Sequence, residues 1–75
     1  MNKLNTLNKI ELLEIADLFL NQTHSEGFKA AEAKDFLSDD YECFSSNPKP
    51  TWKEDVIKYL KDKNYELPKN RLFKV

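Results

Sequence analysis

Apolar residues fall at helical spacing in three stretches of this chain, and polar turn-forming residues separate them. The first stretch predicts a helix over residues 9–22. Asn8 is its N-cap, Glu11 stands at the third helical position, and Leu7 can staple onto Leu12 across the cap. At 100° per residue, Leu12, Leu13, Ile15, Ala16, Phe19 and Leu20 cover an arc of about 160°. Glu11, Glu14, Asp17, Asn21 and Gln22 fill the other side, interrupted by Ile10 and Leu18. A helix apolar beyond one face packs two neighbours, or one neighbour and a second copy of the chain. Ile10 and Leu18 are therefore the expected contact of a homodimer.

A polar stretch ending in Gly27 reads as a turn. The second helix is expected over 28–37, with Phe28, Ala31, Ala33, Phe36 and Leu37 available to pack and small residues allowing close approach. Ser38 can cap a short turn that buries Tyr41 and Phe44. Residues 45–50 must be loop, because Pro48 and Pro50 forbid helix there. The third helix is expected over 51–63. Thr51 and Glu54 have capping-box spacing, and Trp52, Val56, Ile57, Tyr59 and Leu60 form its apolar stripe. Asn64 suits the left-handed residue that ends a helix. Trp52 at the first turn reads as a core anchor and not as a base-stacking platform. Beyond it, residues 65–75 read as a β-hairpin: two β-prone runs flank Pro68-Lys69-Asn70, which suits a type I turn followed by a left-handed residue.

The expected fold is thus mainly α with a C-terminal β-hairpin, in one domain spanning residues 1–75. Seventy-five residues give room for a single modest core. The chain is 40% hydrophobic, ample for a folded domain. No apolar run approaches the roughly 20 residues that span a bilayer. Charges interrupt the apolar N-terminal stretch, so a signal peptide is not expected. A single cysteine, Cys43, excludes an internal disulfide and fits a cytoplasmic location.

Charge changes the picture more than composition does. Residues 1–46 carry four lysines against nine acidic residues, −5, and residues 47–75 carry eight basic residues against four acidic ones, +4. Such an asymmetry suits one surface that meets a polyanion and another that meets protein or solvent. No catalytic chemistry accompanies it. His24 and Cys43 are the only residues of their types and cannot assemble a soft-ligand metal site. Asp39, Asp40 and Glu42 read as a solvated acidic turn, and no glycine-rich loop exists to cradle a nucleotide. No enzyme, cofactor, metal, small-molecule substrate or membrane partner is expected.

Three helices followed by a two-stranded ribbon resemble the winged helix-turn-helix. The stretches that carry the resemblance are GFKAAEAKDFL, TWKEDVIKYLKDKNY and ELPKNRLFKV. The resemblance implies that residues 51–63 enter a major groove of double-stranded DNA and that the wing tip, residues 68–71, reaches a neighbouring groove or the backbone. Lys49, Lys53, Lys58, Lys61, Lys69 and Arg71 would then meet phosphate, with Thr51, Glu54 and Lys58 the candidates for base edges. The implied function is a double-stranded DNA-binding domain of a replication-initiation or transcription-regulatory protein, a phage or mobile element being one source. Domains of this kind are commonly parts of longer proteins, and the chain is expected to be one such N-terminal piece. The competing reading is a small protein-interaction module or inhibitor that uses its acidic N-terminal face.

Overall fold

A computed structural model of the chain describes residues 1–42 and 47–73. Helix α1 spans Lys9–Phe19, α2 spans Glu26–Phe36 and α3 spans Trp52–Asp62, with short 3-10 turns at Leu4–Thr6 and Arg71–Phe73. The capping box at the start of α1 forms: the Glu11 N–H donates to Asn8 Oδ1 at 2.8 Å, and the Asn8 N–H donates to Glu11 Oε1 at 3.2 Å. The helix stops at Phe19 instead of Gln22. Leu20 turns extended, with ψ 129, and bridges to Pro48. The freed carbonyls at the end of α1 are taken by Lys49, whose N–H donates to Phe19 O at 2.9 Å and whose ammonium donates to Asp17 O at 2.7 Å.

Gly27 sits inside the first turn of α2 and not in a reverse turn; Ser25 caps that helix by accepting the Phe28 N–H at 3.3 Å. At α3 the expected Thr51 cap is replaced. A turn closed by Trp52 N–H to Lys49 O at 3.1 Å bends the Thr51 backbone to ψ 16, and a capping residue needs an extended one. The Thr51 hydroxyl instead donates to Asp55 Oδ2 at 2.9 Å. The far end follows the sequence closely. Asn64 is left-handed with φ 61, its N–H reaches Lys61 O at 3.0 Å, and the Tyr65 N–H reaches Leu60 O at 2.8 Å. Together these bonds form a Schellman motif.

Helix α1 packs against both of the others. Helix α2 lies across α1: Lys9 reaches Glu26 at 3.9 Å, Lys29 reaches Asp17 at 2.8 Å, and the rings of Phe19 and Phe36 stack at 4.1 Å. Against α3 a regular order is seen. Glu11 meets Tyr65, Glu14 meets Tyr59, and Asp17 meets Lys49, an antiparallel pairing. The core between them is Ile15, Ala16, Phe19, Leu20, Ala33, Phe36, Leu37, Val56, Leu60 and Tyr65. Trp52 is half-buried, its ring set edge-on against Phe36 at 5.5 Å and Phe73 at 5.3 Å.

The C-terminal hairpin is not present: among the described residues there is no β-strand, only isolated bridges. Tyr65 pairs with Asn2, in parallel, through Asn2 N–H to Asn64 O at 2.8 Å and Glu66 N–H to Asn2 O at 2.9 Å. Asn70, expected at a solvent-exposed tip, is 1% exposed. Its amide nitrogen donates to Phe36 O and Ser38 O, each at 2.9 Å, and its oxygen accepts the Leu72 N–H at 3.1 Å. The tail thus plugs the C-terminal end of α2 and delivers Phe73 to the Phe36 ring at 5.4 Å. The apolar run that looked like a second strand is docking the tail onto the core. The expected burial of Phe44, the lone Cys43 and the end of the hairpin at residues 74–75 lie outside the described residues.

Asn70→Ala removes two donors from buried or half-buried carbonyls, and an unmade bond of this kind costs about 1–3 kcal/mol per group. Urea unfolding should show Asn70→Ala less stable than the parent, and Asn70→Asp less stable still, because a carboxylate would face the two carbonyl oxygens. Parent-like midpoints for both variants would show that the plug carries no stability.

Candidate functional site: a leucine-floored cleft and an acidic wall

Beside the capped start of α1, the N-terminal segment and the end of α2 leave a half-open cleft of ≈ 510 Å³. Its floor is apolar, made of Leu4 and Leu7 from the N-terminal segment, Leu12 from α1 and Leu37 from α2. One wall carries Lys3 and Glu66; the other carries Lys34, Ser38 and Asp39. The backbone bonds between Asn2 and residues 64 and 66 hold the first wall in place. The volume lies within the ~300–1,000 Å³ of ordinary ligand clefts.

The second wall opens onto an acidic surface. Along α2 and the turn after it stand Glu32, Asp35, Asp39, Asp40 and Glu42, with Lys34 among them. The ion pairs among the described residues, Lys9 with Glu26 and Lys29 with Asp17, leave Glu32, Asp35, Asp39 and Glu42 unpaired. Asp40 accepts the Ser38 hydroxyl at 2.9 Å. The acidic residues of α1 are used differently. Glu14 accepts the Tyr59 hydroxyl at 2.5 Å, and both Glu11 oxygens accept the Tyr65 hydroxyl, at 3.0 and 2.9 Å. The Tyr59 phenol is held well above its ordinary value, first by burial and then by the bond to Glu14. The Tyr65 phenol is raised too, chiefly by its bond to Glu11. The acidic N-terminal half therefore divides into carboxylates that fasten α1 to α3 and carboxylates that stay open over α2.

The residues expected to contact DNA lie before, along and beyond α3. Lys49 is committed to the end of α1 and Thr51 to Asp55. Glu54, Lys58 and Lys61 are exposed along one face of α3, while Lys53 is half-buried to its side. Lys69 and Arg71 are exposed on either side of the buried Asn70, in a tail that forms no wing. The winged helix-turn-helix resemblance is corrected on that ground, and the DNA-binding role in replication or transcription falls with it, because the ribbon that would carry Lys69 and Arg71 to a groove does not exist. Ile10 is 68% exposed, as its place on the polar arc of α1 requires, whereas Leu18 is half-buried against the core.

No family model, no curated protein and no solved structure matches this chain. No helix among the described residues is long and apolar enough to cross a membrane, and no group of potential metal ligands occurs among them. The sequence reading used Leu7 as a staple and Leu37 as a packing residue without seeing a cleft, and it missed Leu4 there and gave Glu66 no place in a site. Leu4 and Leu7 carry a usable signal, since they continue an apolar spacing upstream of the α1 cap. Glu66 carries none, because only the pairing of Asn2 with Tyr65 brings it there.

The tyrosine tethers have a pH consequence. A phenol whose value is raised in the folded chain contributes stability that is fully present below its ordinary value of 10 and is lost as pH rises toward the folded value. Urea midpoints of the parent should therefore fall above pH ~10, and Tyr59→Phe should flatten that fall. An alkaline limb identical in parent and variant would remove Tyr59 as its source.

Proposed function

We propose that the chain is a non-enzymatic protein-interaction module whose acidic surface over α2 docks on a basic partner. The observation that carries this reading is the set of unpaired carboxylates at Glu32, Asp35, Asp39 and Glu42 beside a half-open apolar cleft. Asp35, Asp39 and Glu42 are exposed and Glu32 is half-buried; like charges along one element repel one another, and an approaching cationic surface relieves that repulsion while being steered to it. An apolar floor next to them supplies the desolvated centre that charged contacts alone lack. A cytoplasmic setting accords with the lone Cys43.

The test is zero-length carbodiimide cross-linking of the chain in extract from its own cells, with the joined residues mapped by mass spectrometry. Cross-links from Asp35, Asp39 or Glu42 to lysines of another protein are expected, and they should fade in high salt. Cross-links confined to the chain itself would defeat the reading.

A second copy is also a candidate partner, favoured by the exposure of Ile10. Ile10→Asp should then shift sedimentation toward the monomer at tens of micromolar, with Leu18→Asp adding to the effect through its partly exposed edge. A parent chain already monomeric at that concentration ends the self-association idea.

A further inference from the structure

We infer that the leucine-floored cleft holds an amphipathic helix of the partner, laid with its basic border against the α2 wall. That the occupant is a protein segment rests on the function proposed above. The cleft itself decides its shape and polarity.

An extended peptide would need a free backbone edge beside the cleft, as strand addition requires. The edge that borders it, at residues 64–66, is already taken by the chain's own Asn2 through its N–H and its carbonyl. A helix satisfies its own backbone and asks the cleft only for side-chain contact, which Leu4, Leu7, Leu12 and Leu37 supply. The walls then set its orientation. Lys3 and Glu66 balance each other on one side. On the other, Lys34 and Asp39 balance within the lining, and the exposed Asp35, Asp40 and Glu42 outside it make the rim acidic. A helix with leucine-type residues at spacing i, i+3, i+4 and i+7 therefore gains from lysine or arginine along one border and loses from glutamate there.

The experiment uses the whole chain, labelled with nitrogen-15, and three synthetic peptides of about 14 residues, roughly 21 Å of helix. One carries the leucine stripe with a lysine border, the second the same stripe with a glutamate border, and the third is the first with a central proline. The lysine peptide should move the amide signals of Leu4, Leu7, Leu12 and Leu37. The glutamate peptide should bind about tenfold more weakly at low salt. The proline peptide should also bind more weakly, since it cannot continue the helix. Asp35→Lys with Asp39→Lys, at two exposed unpaired positions, should reverse the preference between the first two peptides; mere structural damage would weaken both alike. Shifts that avoid the cleft, equal binding of the two charged peptides, or full binding by the proline peptide would each overturn the inference. The two readings fail separately. Missing cross-links with cleft shifts intact remove the proposed function and leave the cleft, while cross-links without cleft shifts do the opposite.

Discussion

The end of α2 must be closed, and the way it is closed organises the rest of the molecule. Phe36 is fully buried there with its ring stacked on Phe19, and Tyr41, Trp52 and Phe73 present their edges to it at 5.4–5.8 Å. Each such aromatic pair contributes about 0.5–1.5 kcal/mol beyond the area it buries. A buried helix end, however, exposes carbonyls to an apolar surround, and leaving them unpaired costs as much as the rings contribute. Asn70 resolves the conflict by donating to Phe36 O and Ser38 O. One side chain thereby lets the helix end, the aromatic cluster and the tail occupy the same place.

From that point the chain's ends become structural. Because residues 65–73 return to α2, Tyr65 lies where Asn2 can pair with it and where Glu11 can accept its hydroxyl. Glu11 consequently serves two elements, closing the Asn8 cap and anchoring the segment after α3. For 75 residues the total stability to be expected is ~4–11 kcal/mol, so interactions that link distant segments carry a large share of it. Exposed ion pairs such as Lys9 with Glu26 add little by comparison.

The helices were legible because periodicity and caps are local signals. Asn8 with Glu11, and the left-handed Asn64, could be read within a few residues of sequence. The end of α1 and the fate of the tail were not legible, and the reason is the same for both. Leu20 leaves the helix for a bridge to Pro48, and Asn70 leaves a favourable turn for carbonyls more than thirty positions away, so each local preference is overridden by a distant partner. Leu72 and Phe73 looked like strand residues since a docking tail and a strand present the same apolar, β-prone composition. The charge split was visible too, but not its division. Which carboxylates would be consumed depends on Tyr59 and Tyr65 arriving beside α1, and nothing near Glu11 or Glu14 in the chain announces them.

That division is what separates scaffold from surface. Glu11 and Glu14 keep their charge but are held by tyrosines, and Asp17 is paired with Lys29, so the first-half carboxylates left without a side-chain partner among the described residues stand on α2 and the turn after it. The cleft opens at the border of that region, because the plug that buries Asn70 also fixes the end of α2, and the Asn2 pairing fixes the opposite wall. Its apolar floor and its acidic wall are thus consequences of the same closure at Phe36. A change that loosens the tail would blur the cleft as well as the core, which ties the proposed binding surface to the stability of the fold that carries it.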